Sequence, residues 1–423
     1  MQVPNLLQTI LNKHHIKKGG LAVIDQGIFS SSLLVVHILL ARWLSPVEYG
    51  VFVVAYSILI LLQSVYTGFI YEPMTIFGSS KYKEDTLKYL QILIYGHFLI
   101  LAIISLILIS VSFVLFRTGG SLKYSFLGLG IGVPFILFFN LVRRFYYLKL
   151  EPQKAALTST IYFLGIVLSI YILFYFQWLS SFAVFIAISI VSIASGLSIL
   201  KLFYPQLKLK GNNADLKAVG IDHFKYGKWS ASAYLINWIP SNVYFVILPF
   251  LIGMEGTGAL RALINFCAPM QQFIGALNLL FLPISSRMYS QKQIEALKTT
   301  VFLYTTLILV LTLTYWVVLG TYSNTLINCV YKGRYLDYAN SLWLIGFLPF
   351  LSTLPLPRSY TLRAMERPDK VFLSYILTAF FTVFGLVFVM FWGITGAILG
   401  LLISTAVNSL CIFYWYKKII DAL

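Results

Sequence analysis

Two carboxylates stand inside long apolar runs. Asp25 lies about one turn into LAVIDQGIFSSSLLVVHILLARW, and Glu72 about one turn before the end of VFVVAYSILILLQSVYTGFIYEPMTIF. A tight link, LSPVEYG, joins the runs, so the two helices form an antiparallel hairpin and both acids fall at one depth. An acid that faces lipid costs several kcal/mol, so it turns to a wet cavity or to a partner. One chemistry open to Asp25, Gln26 and Glu72 is a proton or cation site, in which a carboxylate pair shares a proton or holds Na⁺. The other is a structural contact near the interface, with Gln26 or a cytoplasmic arginine as partner.

Cationic and amide side chains offer a second chemistry. Arg261, in GALRAL, has a planar fork suited to phosphate oxygens, or it snorkels to the outer interface. Arg143 and Arg144, with Arg358 and Arg363, sit at equivalent inner ends of two halves of the chain. They can receive a diphosphate, or simply anchor the helices in the manner of cytoplasmic arginines. Gln63, Asn237, Asn242, Gln271 and Gln272 fall near the middle of apolar runs, where they line a cavity or bond helix to helix. No metal site is indicated: Cys267, Cys329 and Cys411 have no ligand spacing. No Walker A, H-E-x-x-H or G-x-S-x-G motif occurs. The GLGIG run at Gly128–Gly132 lies within an apolar run and reads as close helix packing.

The elements that position these residues follow from composition. The 423 residues are 59% hydrophobic and only 11% charged, with a mean hydropathy of +0.85. A soluble chain of this length carries about a quarter charged residues, so this is an all-α, multi-pass membrane protein. Crossing a ~30 Å hydrocarbon core takes about 20 helical residues. Twelve spans are predicted at 21–43, 51–77, 88–116, 122–146, 154–177, 179–203, 226–252, 258–284, 296–320, 339–361, 370–391 and 392–416. The polar, basic opening to Gly20 reads as a short surface helix, with His14 and His15 solvated.

The net charge of +17 follows topology rather than nucleic-acid binding. With these spans, most basic residues fall on the side of the N-terminus, leaving Arg42, Arg117, Lys123, Arg261, Lys332 and Arg334 for the other. Positive charge stays inside, so both termini are expected in the cytoplasm. The polar stretch 204–225 is expected to be a cytoplasmic linker between a six-helix bundle in 1–203 and another in 226–423. LSPVEYG is echoed by IGMEGTG at 252–258, and RRFYYLKLEP by RSYTLRAMERP, at similar offsets. The halves therefore read as parallel repeats related by an axis along the membrane normal.

The opening IDQGIFSSSLLVVHILLARWLSPVEYGVFVVAYSILILL, followed by YEPMTIFG, resembles the polysaccharide-repeat flippases of the multidrug/oligosaccharidyl-lipid/polysaccharide exporter superfamily. VRRFYYLKLEPQKAAL, KYGKWSASAYL, GALRALINFCAPMQQF and LRAMERPDK continue the resemblance along nearly the whole chain. It implies a MATE-like fold of two six-helix bundles. It also implies flipping of undecaprenyl-diphosphate-linked oligosaccharide repeats across the bacterial cytoplasmic (inner) membrane, for surface polysaccharide such as O-antigen. Alternating access coupled to H⁺ or Na⁺ is the implied mechanism. Transient contact with a glycan polymerase or glycosyltransferases is the implied protein partnership.

Within this sequence the matching positions are Asp25, Gln26, Glu72, Pro73, Arg143, Arg144, Arg261 and Arg363. Leu33 departs from the pattern, standing where the resemblance implies an asparagine. A drug/cation antiporter of the same fold is the alternative. An enzyme such as a polymerase or acyltransferase fits less well, since the longest outer segment, 321–338, has Asp337 but no histidine.

Overall fold

The computed structural model describes residues 13–116, 120–204 and 213–422. The expected surface helix before Gly20 and the expected linker lie partly outside the described residues. In chain order the helices are α1 (Lys13–Trp43), α2 (Pro46–Tyr66), α3 (Glu72–Ser79), α4 (Thr86–Phe116), α5 (Leu122–Leu148), α6 (Pro152–Tyr175) and α7 (Ser181–Phe203). They continue as α8 (Asn213–Asn265), α9 (Ala268–Ser290), α10 (Ile294–Thr321), α11 (Ser323–Tyr331), α12 (Ser341–Ile345), α13 (Leu348–Thr353), α14 (Leu356–Ala364) and α15 (Pro368–Ile420). No strand occurs among the described residues.

Among the described residues, nine helices are long and apolar enough to cross a membrane. Two of these, α8 and α15, each hold two stretches joined at a non-helical glycine, Gly253 (φ 77°) and Gly393 (φ 55°). Positive φ is open to glycine at little cost, so each chain reversal is placed there. Many large apolar side chains are exposed, Phe250, Met390 and Phe391 among them, which is the surface that a lipid solvent permits.

Three stretches differ from the sequence reading. The residues from Asn213 to Lys225, expected in the linker, are helical and continuous with the apolar part of α8. The run expected at 258–284 is broken at Phe266–Cys267, ahead of Pro269, which cannot donate to the preceding turn. The run expected at 339–361 is three short helices, α12 to α14. Pro349, Pro355 and Pro357 remove backbone donors in quick succession, and such breaks are tolerated where protein rather than lipid surrounds the backbone.

Contacts divide the chain into two compact units. The first holds residues up to Leu39 together with Ile58–Leu235, and the second holds Leu40–Ser57 together with Ile236–Leu423. At the centre of the first is α5, most of whose residues between Ser125 and Tyr146 are buried. Its glycine run lets neighbours approach as expected. A Cβ on Gly132 would meet the Ser189 hydroxyl at 2.2 Å, and one on Gly130 would meet Ile109 at 2.9 Å. Small residues of this kind let helices pack by backbone approach where lipid gives no hydrophobic drive.

In the second unit, Phe281, Leu297, Val301, Leu362, Val371, Ile412 and Ile420 form a buried cluster that ties α9, α10 and α14 to both ends of α15. Further along, the two arms of α15 meet at Gly385 and Gly400, with the Tyr244 hydroxyl of α8 against them.

Candidate functional site

In the first unit a buried ion pair joins α1, α5 and α6. Asp25 is fully buried. Arg143 spans its carboxylate, Nη2 to Oδ2 at 2.6 Å and Nε to Oδ1 at 3.2 Å. The Ser159 hydroxyl donates to Oδ1 and the Tyr147 hydroxyl to Oδ2, so four donors meet the two oxygens. A carboxylate has about four acceptor positions, and here they are filled. Gln26 Oε1 accepts from Arg143 Nη2 at 3.1 Å, and the guanidinium lies 4.3 Å over the Phe29 ring.

The local reasons are simple. Arg143 and Tyr147 are four residues apart on α5 and so share a face, and Ser159 stands on the next helix. A buried pair gains little over an apolar substitute, but losing one partner costs about 3–5 kcal/mol. The cluster therefore neutralises Asp25 and pins three helices.

Glu72 has a different set of partners. Its Oε1 accepts from the Tyr226 hydroxyl at 2.9 Å, and its Oε2 from the Ser230 hydroxyl, both on α8. The sharing of one site by Asp25 and Glu72, open on the sequence, is thus not how these side chains are bonded, because Arg143 supplies Asp25 with a stronger partner than a second acid.

The chain reaches Glu72 through a π turn, Thr67–Tyr71. Pro73 has no N–H to return to the Phe69 carbonyl, and His223 of α8 bonds that oxygen through Nδ1 at 2.8 Å. With Nδ1 as donor, Nε2 of the neutral ring accepts from the Tyr89 hydroxyl at 2.6 Å. Gly68 and Gly227 permit the approach: a Cβ on Gly68 would stand 2.3 Å from the Ala231 backbone, and one on Gly227 2.9 Å from Phe69 Cα. Next to His223, Asp222 accepts from Lys81 and Tyr82. That hydrogen bond to Asp222 raises the pKa of the Lys81 ammonium above its usual value.

The second unit holds Arg261, on the α8 stretch beyond Gly253. It is half-buried and lies 5.4 Å over the Phe245 ring, with the Tyr49 and Tyr56 hydroxyls near enough to feel its charge. Asn265, one turn on, donates to Tyr49 Oη at 3.1 Å and lies 3.4 Å from Tyr331 Oη. The result is one guanidinium in a wall of aromatic rings and hydroxyls.

The remaining candidates are dispersed. Arg144 lies 5.0 Å over the Tyr71 ring. Arg358 lies 5.2 Å over Phe413 and donates to Thr305 and the Leu354 carbonyl at 3.4 Å. Arg363 lies 5.8 Å over Tyr360. Gln63, Asn242 and Gln272 are half-buried, and Asn237 is exposed. Gln271 Nε2 lies 3.4 Å from the Ser352 hydroxyl.

Sequence reasoning did not find Tyr147, Ser159, Tyr226, Ser230 or His223. Tyr147 was findable from its i,i+4 spacing with Arg143, and His223 from the carbonyl that Pro73 frees. Ser159 and Ser230 carry no signal that sets them apart from the other hydroxyls of apolar helices.

No family model matches the sequence, and no curated protein matches it. Solved structures do. The chain is similar to an inward-facing multidrug resistance MATE family transporter of the MOP superfamily, at 15% identity over 96% of this chain and 95% of that one, with a TM-score of 0.72. It is similar to the lipid II flippase MurJ in an inward closed conformation, at 17% identity over 95% of this chain and 87% of that one, with a TM-score of 0.71. A MOP superfamily transporter from Pyrococcus furiosus is similar at 13% identity over 96% of this chain and 95% of that one, with a TM-score of 0.60. The fold is therefore MATE-like.

Proposed function

We propose that the chain is a flippase for an anionic, lipid-linked oligosaccharide, the undecaprenyl-diphosphate-linked repeat unit of a bacterial surface polysaccharide. In this reading twelve spans cross the cytoplasmic membrane, both termini lie in the cytoplasm, and the two halves alternate access to the substrate. The observation that carries it is Arg261 among Tyr49, Tyr56 and Phe245. A planar cation suits a diphosphate, and rings suit sugar faces. The likeness in fold to a lipid II flippase supports it, as does the sequence resemblance.

The physical task is to replace water around the glycan. Each hydroxyl stranded in hydrocarbon costs on the order of 2–7 kcal/mol, so the protein must solvate the sugar while the polyprenyl tail stays in lipid. Substrate can shift the balance between the two states of the carrier only by binding them differently. Coupling to H⁺ or Na⁺ falls more naturally to Glu72, held by two neutral hydroxyls, than to Asp25, already neutralised by Arg143. Arg144, Arg358 and Arg363 remain candidates for receiving the diphosphate.

The test is transfer of a lipid-linked oligosaccharide between leaflets of proteoliposomes, read by its accessibility to an added glycosidase. Transfer by wild type with loss in Arg261→Ala is expected. A second reading, a drug/cation antiporter, draws on the multidrug MATE neighbours. Proton-driven ethidium efflux without oligosaccharide transfer would establish it in place of the first.

A further inference from the structure

One cavity in the second unit has none of the candidate residues above in its lining. It measures about 470 Å³, and is lined by Tyr289 at the end of α9, by Met365, Arg367 and Lys370 where α14 gives way to α15, and by Trp415, Lys418, Ile419 and Ala422 at the end of α15. Cavities of roughly 300–1,000 Å³ are the size that holds a small ligand.

Charge and aromatic character coincide there. The Lys370 and Lys418 ammonium groups lie 4.5 Å and 5.6 Å from the Trp415 ring, so two cations share one indole. Arg367 adds a third positive charge. Among the described residues one carboxylate bonds to this set: Asp369, to Arg367 at 3.2 Å and to Lys370 at 3.0 Å. The balance favours an anion.

The surroundings identify what kind. Met365, Ile419 and Ala422 give the cavity an apolar side. Tyr414, one turn before Lys418 and within 5.9 Å of its ammonium, is exposed, as is Leu410 one turn further along the apolar helix. A phosphate in the cavity would leave its attached chains beside this exposed apolar stripe. Basic pockets with tryptophan at the ends of membrane helices suit anionic headgroups.

We propose that this cavity holds the headgroup of an anionic phospholipid, whose acyl chains lie along Tyr414 and Leu410. The Trp415 platform positions the two lysines, and Arg367 closes the rim.

The test uses the full-length protein in detergent, with thermal melting and native mass spectrometry as readouts. Phosphatidylglycerol is expected to stay bound and to raise the melting temperature. Phosphatidylcholine and inorganic phosphate are expected to do neither. A basic side chain near a membrane surface contributes about fivefold in affinity, so Lys370→Gln with Lys418→Gln should weaken phosphatidylglycerol binding by about 25-fold. Lys370→Arg with Lys418→Arg replaces the same side chains but keeps their charge, and should bind as wild type does. Loss in both double variants would overturn the charge argument, as would undiminished binding by the glutamine pair. Equal binding of phosphatidylcholine would overturn anion selectivity, and stabilisation by inorganic phosphate alone would assign a soluble anion instead of a lipid.

Discussion

Gly50 and Gly258 lie backbone against backbone: a Cβ on Gly258 would stand 3.0 Å from Gly50 N and 2.6 Å from the Pro46 carbonyl oxygen. One on Gly50 would stand 1.8 Å from the Met254 carbonyl oxygen. The links LSPVEYG and IGMEGTG, which echo each other in sequence, thus meet within one compact unit. Backbone cannot yield as a flexible side chain does. Gly50→Ala and Gly258→Ala should each destabilise by about 1–3 kcal/mol through overpacking, with Gly50→Ala the worse. Gly275, which has open space around it, is the control, and its alanine variant should melt with wild type. Thermal melting in detergent reads all three.

Asp25 and Arg143 should behave as a coupled pair. Asp25→Asn or Arg143→Gln leaves a buried charge without its partner and should cost about 3–5 kcal/mol. Replacing both, Asp25→Leu with Arg143→Met, should recover much of that loss, since an apolar pair avoids the desolvation penalty. If the double variant loses the sum of the singles, the two residues do not depend on each other.

Glu72→Gln tests ion coupling without removing packing. Glutamine keeps an acceptor for Tyr226 and a polar group for Ser230, so melting should change by less than about 1 kcal/mol. Transport driven by an H⁺ or Na⁺ gradient should fall about tenfold, the loss of one charge-dependent interaction. Undiminished gradient-driven transport would exclude Glu72 as the coupling group.

His223 should matter because of Pro73. His223→Ala strands the Phe69 carbonyl and should destabilise by about 1–3 kcal/mol. Adding Pro73→Ala restores a backbone donor to that helix, so the double variant should be milder than the sum of the two singles. Additive losses in a double-mutant cycle of melting free energies would show that histidine and proline act separately.

Arg261→Ala should lower oligosaccharide transfer about tenfold or more, the worth of a charge-assisted contact to phosphate. Arg261→Lys should restore only part, because an ammonium cannot reproduce the planar fork. Normal transfer by the alanine variant would return Arg261 to the role of an interface anchor.

Some of this molecule was legible from the chain alone. Apolar runs set by the thickness of a bilayer made the helices and their all-α class readable. The GLGIG run declared a close packing face, because only a missing side chain lets helices approach so nearly. Acids inside apolar runs marked Asp25 and Glu72 as turned away from lipid, toward a wet cavity or a partner. What the chain could not state was which partner. Arg143 lies more than a hundred residues from Asp25, and every arginine on that side looks alike until α1, α5 and α6 pack. The breaks at Phe266–Cys267 and through α12 to α14 were hidden for the same reason. A proline inside an apolar run bends a helix or ends it, according to whether neighbouring protein can satisfy the freed backbone groups, and only the packed structure supplies those neighbours.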